Sequence, residues 1–226
     1  MKLAIIGRGK LGSALFKAYI QAGHQVVDNP MESELILLCV PDDAIPKVSE
    51  RFAGHAMAHT SGAHASDILA GDGPKGSMHP IQTVRSGAEP EVFQGIRISV
   101  EGDSGLIQVL SRLAVDVGAA PLTVTPEQKR AIHLAAVMVS NFTIALHMLA
   151  DEVLTRSGVP STSADLFTAL MDRTLANIRE VGPMAARTGP AVRGDLETIQ
   201  AHLAVLDGHP GAIDAYKALS EVLATG

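Results

Sequence analysis

The chain has 226 residues, a formal net charge of −6, 46% hydrophobic residues and 19% charged residues. It is long enough for one domain or two small ones, and no run of Lys and Arg offers a basic surface for nucleic acid. Cys39 is the only cysteine, which excludes an internal disulfide and a cysteine-based zinc site. The apolar stretch after Lys2 is too short for a signal peptide, and no uninterrupted apolar run approaches membrane length. We therefore expect a soluble cytoplasmic protein without a membrane segment.

The N-terminal segment KLAIIGRGKLG predicts the opening of a dinucleotide-binding fold. An apolar strand at residues 3–6 precedes three glycines in G-x-G-x-x-G spacing, and a helical pattern follows up to Gly23. Such glycines permit a tight turn, the approach of a pyrophosphate to the backbone, and close packing of helix on strand. The helix N-terminus offers free N–H groups to the phosphates. The cofactor contacts expected here are Gly7, Arg8, Gly9, Lys10, Leu11 and Gly12.

The second predicted strand, HQVVD, ends at Asp28. A carboxylate at about this distance from the glycine turn can hold a ribose 2′-hydroxyl, which would favour NAD over NADP. Alternatively, Asp28 merely begins the turn DNP.

The linker to the next strand, LILLCV, has only six residues, 29–34. At roughly 3.3 Å per residue it reaches about 20 Å, too short for the helical crossover that parallel strands normally need. We therefore expect no helix in this linker, and we expect LILLCV to lie on the far side of the first strand. The adenine pocket would be open or absent, so that NAD or NADP is held weakly. Val40 and Pro41, at the end of this strand, complete the expected cofactor contacts.

Three strand segments follow in the middle of the chain: one ending at HTSG (59–62), one in GSMHPIQTV (76–84) and one in FQGIRISVEGD (93–103). In an open α/β sheet the loops at the carboxyl ends of the strands line the ligand crevice. Ser61 and His79 occupy such positions. Both are therefore candidate catalytic residues, and Ser61 is also a candidate for substrate binding.

From Pro126 the pattern changes to a helix of about 30 residues without a breaker, with Thr125 as its N-cap. A narrow polar stripe runs along it, and this stripe either faces solvent or carries function. His133 is the candidate proton carrier, since a histidine pKa near 6.5 suits acid catalysis; alternatively, it is a packed helix histidine. Asn141 lies in apolar surroundings, where an amide needs partners. The stripe comprises Lys129, His133, Ser140, His147 and Asp151.

The segment RTGPAVRGDLETIQAHL (187–203) predicts a loop rich in glycine and proline that enters a helix, with Asp195 as the N-cap. Arg193 would bind a substrate carboxylate by two parallel hydrogen bonds, or would hold the loop by pairing with a neighbouring carboxylate. No metal site is expected. The histidines of HAMAH have helical spacing, but they fall in a predicted strand without a neighbouring glutamate.

Four motifs, HTSG, GSMHPIQTV, HLAAVMVSNF and TGPAVRGDLETIQAHL, together resemble a family of largely uncharacterised Rossmann-like oxidoreductases. The C-terminal helical domain of this family is known only as a domain of unknown function. The family is similar to pyrroline-5-carboxylate reductase, ketopantoate reductase and the 6-phosphogluconate dehydrogenase group, and the resemblance covers nearly the whole chain. In those dehydrogenases a helix in this place carries a lysine and an asparagine one turn apart, which handle the substrate carbonyl. Here Val137 stands one turn before Asn141, which departs from that pattern.

Together these observations predict an α/β fold: a reduced Rossmann-type, mostly parallel sheet at residues 1–124, followed by an all-α domain at residues 125–226. The expected function is an NAD(P)-dependent oxidoreductase acting on a small carboxylated keto or imino compound. Asn141 would orient the substrate, His133 or His79 would move the proton, and Arg193 would bind the carboxylate. The alternative is a non-enzymatic ligand-binding or regulatory dimer that has lost the adenosine pocket. In either case the apolar helix predicts a homodimer through the helical domain.

Overall fold

The computed structural model describes all 226 residues, which form two compact units, Met1–Ser140 and Asn141–Gly226. The first unit is an α/β unit with one seven-stranded sheet, and every element after Thr123 is helical. This confirms the predicted fold class. The boundary between the units falls at residues 140 and 141, whereas the predicted domain boundary lies at 124 and 125; the first helix of the predicted all-α domain is tied to the sheet by Lys129, which donates to Ser77 and Glu101.

The sheet has the strand order β2-β1-β3-β4-β5-β6-β7, and every neighbouring pair is parallel except β5 with β6. The strands are β1 (Lys2–Ile6), β2 (Gln25–Val26), β3 (Leu35–Leu38), β4 (Met57–His59), β5 (Lys75–Pro80), β6 (Arg97–Gly102) and β7 (Ala120–Thr123). The helices of this unit are α1 (Lys10–Gln21), α2 (Ile45–Ser49), α3 (Ser104–Asp116) and α4 (Pro126–Val139).

The linker between β2 and β3 agrees with the sequence prediction in topology and differs from it in one detail. Strand β3 pairs in parallel with β1 on the side opposite β2, so the predicted far-side position is confirmed. The linker was expected to carry no helix, and this is wrong for one 3-10 turn, Pro30–Glu32. The turn forms because Asn29 accepts a hydrogen bond from the N–H of Met31 and because Pro30 fixes the first backbone angle.

Hydrophobic side chains cover the two faces of the sheet as two separate clusters. On one face Leu15 of α1 and Leu110 of α3 pack with strand residues such as Leu37. On the other face Ile36 and Leu38 of β3 pack with Ile45 and Met57. This second cluster contains residues of β1, β3 and β4 but none of β5 or β6, where buried polar side chains lie instead.

The second unit is built from helices alone: α5 (Asn141–Arg156), α6 (Ser163–Ala185), α7 (Pro190–Arg193), α8 (Leu196–Val205) and α9 (Pro210–Thr225). Asp195 caps α8 as predicted, accepting a hydrogen bond from the N–H of Thr198. In α6 a kink occurs at Gly182, immediately before Pro183.

The predicted single helix of about 30 residues is interrupted, because α4 ends at Val139 and α5 begins at Asn141. Thr125 does cap α4, in a capping box with Gln128. By length and composition alone Pro126–Arg156 is long and apolar enough to cross a membrane, although polar residues such as Ser140 and Asn141 interrupt its apolar run. This is weak evidence for a membrane span, since the core helix of a soluble protein passes the same test.

Candidate functional site

The glycine turn between β1 and α1 has the backbone geometry that the sequence predicts. Gly7 has a φ of +99°, and a Cβ at this position would overlap the carbonyl oxygen of Cys39. A Cβ on Gly12 would overlap the carbonyl oxygen of Gly7, so only glycine lets the helix approach the strand this closely. Gly9 instead faces open space and caps α1 without any side-chain hydrogen bond. The first N–H groups of α1 are therefore free to bind an anion.

The other predicted cofactor contacts surround this turn at the carboxyl ends of β1, β2 and β3. The guanidinium of Arg8 stacks on the Phe16 ring, 3.8 Å from its centroid. Asp28 is exposed after β2, and Val40 and Pro41 follow β3. Lys10 and Leu11 form the first turn of α1; Lys10 is exposed, whereas Leu11 packs partly against the core.

Two histidines from different elements meet at Gly62, in the loop after β4. Their rings stand edge to face, with centroids 5.4 Å apart. The Nδ1 of His79 donates a hydrogen bond to the carbonyl oxygen of Thr60 at 2.9 Å, so in the neutral ring Nε2 carries the lone pair. A Cβ on Gly62 would lie 2.7 Å from that Nε2 and would overlap Nδ1 of His133. Glycine is thus required where the two imidazoles converge; we call Gly62, His79 and His133 the histidine site.

The pKa of His79 is set mainly by burial. Burial lowers the pKa of His79, its bond to Thr60 acts in the opposite direction, and the neighbouring side chains of His133 and Lys129 lower this pKa further. His79 is therefore neutral at pH 7 and able to accept a proton at Nε2. Nδ1 of His133 is buried and has no hydrogen-bond partner. These two nitrogens are not engaged in holding the fold and remain available for proton transfer.

Ser61, the other predicted catalytic residue of this loop, is buried and fully hydrogen-bonded. Its hydroxyl donates to Asp42 at 2.8 Å and accepts from the N–H groups of Ala63 and His64, each at 3.2 Å. The geometry therefore gives Ser61 a part in ordering the loop beside Gly62. Whether Ser61 also contacts a substrate stays a prediction.

Lys129 of α4, which the sequence placed only on a polar stripe, is 1% exposed. Its ammonium group donates to the carbonyl oxygen of His64, to the hydroxyl of Ser77 and, at 3.4 Å, to Glu101. The Glu101 carboxylate in turn accepts from the N–H and the hydroxyl of Ser66, at 2.7 and 2.9 Å. We call Lys129, Glu101, Ser66 and Ser77 the lysine cluster. All three N–H groups of Lys129 are used, so the cluster ties α4, β5, β6 and the loop after β4 together.

The register of the sheet explains why these polar groups meet. His59 of β4 pairs with Ser77 of β5, and Ser77 pairs with Glu101 of β6. Paired residues on neighbouring strands share a face of the sheet, and His79, two residues after Ser77, lies on that same face. This polar row continues the face that carries Leu38. Sequence analysis missed Lys129 and Glu101, although Lys129 lies one helical turn before His133 and Glu101 interrupts an apolar strand.

His59 belongs to this row but has no free nitrogen. Its Nε2 donates to the carbonyl oxygen of Ala65 at 3.0 Å, and its Nδ1 accepts from the N–H of Ser61 at 3.2 Å. Burial, together with the charge of Lys129, lowers its pKa to about 4. His59 therefore stabilises the loop as a neutral ring.

The remaining predicted site residues belong to the second unit. Asn141 begins α5 and is exposed. The Arg193 guanidinium is largely exposed and lies 3.8 Å from the carboxylate of Asp195, which is the loop-holding alternative considered for it. His147 contacts Ser163 and Met171. The catalytic and substrate-binding roles assigned to Asn141 and Arg193 stay predictions.

Comparison with protein-family models and solved structures places the chain among proteins of this fold. Residues 96–223 match a family described as Domain of unknown function (DUF2520). A Bacteroides fragilis protein described as a candidate NADP oxidoreductase has a TM-score of 0.85 and 24% identity, covering 100% of this chain and 98% of its own. A Thermotoga maritima protein has a TM-score of 0.77 and 25% identity, with 98% and 96% covered.

A more distant match is an imine reductase from Myxococcus stipitatus in complex with NADP+, with a TM-score of 0.65 and 18% identity. It covers 100% of this chain and 95% of its own. A search of curated proteins found no significant match. At these identities the structural likenesses show a shared fold.

Proposed function

Because the chain belongs to the family described as Domain of unknown function (DUF2520) and shares the fold of solved oxidoreductases, we propose that it is an NAD(P)-dependent oxidoreductase. Its substrate would be a small carboxylated keto or imino compound. The proposed cofactor site comprises the glycine turn, the free first turn of α1 and residues 28, 40 and 41. We also propose that the protein acts in the cytoplasm.

One observation carries this proposal: free anion-binding N–H groups and unpartnered imidazole nitrogens occur in the same unit, at the same edge of its sheet. Strands β1, β3, β4 and β5 run in parallel, so the glycine turn after β1 and the loop after β4 both leave the carboxyl edge. Ligands of open α/β sheets bind outside this edge. A pyrophosphate on α1 and a reacting group beside Gly62 are therefore compatible with one dinucleotide.

The histidine site would supply the proton chemistry. A bound nicotinamide supplies or takes the hydride. Reduction of a carbonyl or imine also requires a proton on oxygen or nitrogen, and oxidation releases that proton. Neutral His79 can accept it at Nε2, since its Nδ1–H is fixed on Thr60. His133, whose Nδ1 has no partner, is the second group at which the proton can be held.

The lysine cluster would position these histidines without touching the substrate. Lys129 has no N–H left to donate, so a fourth acceptor could be bound only by breaking one of its three hydrogen bonds. It lies one turn before His133 on α4 and also holds the loop that contains Gly62. We therefore assign the proton step to the histidines and a positioning role to Lys129.

The proposal is tested by binding. Urea unfolding of the purified protein should show stabilisation by NADH or NADPH: a ligand at ten times its Kd adds about 1.4 kcal/mol. Gly9→Val should abolish the effect without reducing stability, because Gly9 has an ordinary φ and no atom near its missing Cβ. Gly105→Val is the matched control, since Gly105 is also a helix-start glycine in open space, but on α3.

The outcomes separate the proposal from its alternative. Stabilisation that is lost in Gly9→Val and kept in Gly105→Val supports the cofactor site. If neither dinucleotide stabilises the wild-type protein, the oxidoreductase proposal fails, and the ligand-binding dimer remains. Once a substrate is found among small 2-oxo acids and cyclic imines, His79→Asn should lower kcat while it leaves the affinity for the dinucleotide unchanged.

We also propose that the chain forms a homodimer through its helical unit. Many large apolar side chains of that unit are exposed, including Phe142 at 53%, Met148 at 68% and Leu170 at 62%. Monomeric soluble proteins rarely expose apolar patches larger than a few hundred Å². A standard interface needs only about 800 Å² from each partner, which a face of this kind can provide. The occupant we propose is a second copy, because α4, the first half of the apolar stretch Pro126–Arg156, is anchored in the α/β unit by Lys129 and is not free to cross a membrane.

A further inference from the structure

Gly62 reaches the histidine site in a loop that is anchored on both sides of it. Gly62 itself makes no hydrogen bond, so its position depends on its neighbours in the chain. After it, the carbonyl oxygen of His64 accepts from the ammonium group of Lys129. Before it, the hydroxyl of Ser61 donates to the Asp42 carboxylate at 2.8 Å. The second anchor, unlike the first, lies outside the lysine cluster.

The Ser61 hydroxyl uses its whole hydrogen-bonding capacity in this arrangement. A hydroxyl has one hydrogen to donate and two lone pairs that accept. The hydrogen is donated to Asp42, and the lone pairs accept from the N–H groups of Ala63 and His64, each at 3.2 Å. The two N–H bonds close a turn around Gly62, as serine hydroxyls commonly do. The bond to the carboxylate, which is stronger than a bond between neutral groups, fixes this turn to the segment after β3.

The segment that carries Asp42 also carries the last of the expected cofactor contacts. Asp42 directly follows Val40 and Pro41 and begins a 3-10 turn that ends at Ala44. The N–H of Ala44 donates to the carbonyl oxygen of Pro41 at 2.9 Å, so Pro41 and Asp42 belong to one closed turn. A dinucleotide at residues 40 and 41 would therefore lie next to the turn that holds the loop of Gly62.

We propose that Asp42 is a positioning residue: by holding Ser61 it fixes Gly62 between the two imidazoles and keeps the histidine site in register with a dinucleotide bound at residues 40 and 41. The register with the dinucleotide rests on the proposed function, whereas the position of Gly62 does not. The Asp42 side chain is 47% exposed and forms no ion pair with Lys or Arg; Nε2 of His64 lies 3.9 Å away. Asp42 is therefore not needed to neutralise a buried cation, and another acceptor of the same shape should replace it.

The first experiment records the imidazole NMR signals of His79 and His133 in the full chain at pH 8 without any ligand. Asp42→Ala should shift the signals of both rings, because the loop loses the anchor at Ser61. Asp42→Asn keeps an oxygen that accepts from the Ser61 hydroxyl, so its signals should stay close to those of wild type. Asp43→Ala is the matched control, since Asp43 is an exposed acid of the same 3-10 turn and should leave both rings unchanged.

A double-mutant comparison shows whether Asp42 acts through Ser61. In a Ser61→Ala protein the bond to Asp42 is already lost, so adding Asp42→Ala should shift the histidine signals no further. The N–H of Ser61 stays bonded to Nδ1 of His59 at 3.2 Å in every Asp42 variant, and circular dichroism should therefore show folded proteins. An additional shift as large as the one that Asp42→Ala causes in wild type would mean that Asp42 acts by another route and would overturn the inference.

Kinetics test the register with the dinucleotide once a substrate is found. Asp42→Ala should lower kcat by about tenfold, because a small misplacement of a proton-transfer group is costly, and Asp42→Asn should lower it by less than threefold. The affinity for the dinucleotide should change by less than threefold in both variants, since the glycine turn is intact. An unchanged kcat in Asp42→Ala would contradict the positioning role.

The failure of this inference is distinguishable from the failure of the proposed function. Wild-type signals of both rings in Asp42→Ala would overturn the inference and leave the proposed function standing. Shifts in Asp42→Asn as large as those in Asp42→Ala would also overturn it, because the charge and not the bond to Ser61 would then be responsible. If neither NADH nor NADPH binds, the proposed function fails, while the NMR comparison, made without ligand, still decides whether Asp42 positions Gly62.

Discussion

Replacing Lys129 by Met tests the buried lysine cluster most directly. The substitution removes an ammonium that is 1% exposed and donates to His64, Ser77 and Glu101. It leaves the Glu101 carboxylate buried with only the two hydrogen bonds from Ser66. Breaking one side of a buried ion pair typically costs about 3–5 kcal/mol, so we expect the free energy of unfolding at pH 7 to fall by about that amount.

The pH dependence of the same variant gives a sharper test. Burial lowers the pKa of Lys129 from 10.5 to about 8, against the opposing effect of Glu101. Between these two values the unfolded state binds more protons than the folded state, so this group makes stability rise with pH. The shift corresponds to about 3 kcal/mol. The stability advantage of wild type over Lys129→Met should therefore grow by about 2–3 kcal/mol between pH 7 and 10.

The assay is urea unfolding followed by far-ultraviolet circular dichroism, since the chain has no Trp. Comparing the two proteins at each pH cancels the contributions of Cys39 and Tyr19. Burial raises the pKa of both, to about 12 for Cys39, and both therefore destabilise the fold at high pH. Lys47→Met, at an exposed lysine, should change stability by less than about 0.5 kcal/mol. A Lys129→Met protein as stable as this control, with an unchanged pH profile, would refute the cluster.

Three further predictions follow from the same geometry. His59→Asn should reduce the fall in the free energy of unfolding between pH 6.5 and 4, because His59 has a pKa of about 4 in the folded state and the unfolded state therefore binds a proton at higher pH. Acid titration followed by circular dichroism measures this fall, and a pH profile unchanged from wild type would contradict the prediction. Gly62→Ala should lower the free energy of unfolding by about 1–3 kcal/mol and shift the imidazole NMR signals of His79 and His133, because the added methyl group crowds their ring nitrogens. Unshifted signals would show that the two rings do not meet at Gly62. Light scattering at micromolar concentration should give twice the chain mass of 23.6 kDa, and a monomer would rule out the proposed homodimer.

Local sequence pattern was sufficient to predict the first part of the fold. The apolar strand, the glycine spacing and the helix that follows all act within about twenty residues. The length of linker 29–34 then decided on which side of β1 the next strand lies. The single 3-10 turn in that linker escaped prediction because Asn29 and Pro30 stabilise it with so few residues.

The lysine cluster could not be predicted, because its partners are distant in sequence. Lys129 is 28 residues from Glu101 and 52 from Ser77, and only the register of β5 and β6 brings these two onto one face. On the helix alone, the same polar stripe fits a solvent-facing side equally well. The interruption between α4 and α5 was missed because residues 126–157 contain no helix-breaking residue; the two compact units divide at the same place, after Ser140.

The way in which the buried polar groups are bonded indicates which of them are free for chemistry. The apolar face at β3 gives way to a polar row at β4, β5 and β6, and burying such groups is tolerable only where each finds a partner. Lys129, Glu101 and His59 meet that condition completely, which makes them parts of a scaffold. Nδ1 of His133 does not meet it, and Nε2 of His79 keeps its lone pair. A buried nitrogen without a partner costs stability, and a bound substrate that exchanges a proton with it would supply the missing bond. The proton-transfer step is therefore assigned where the fold leaves its hydrogen bonding incomplete.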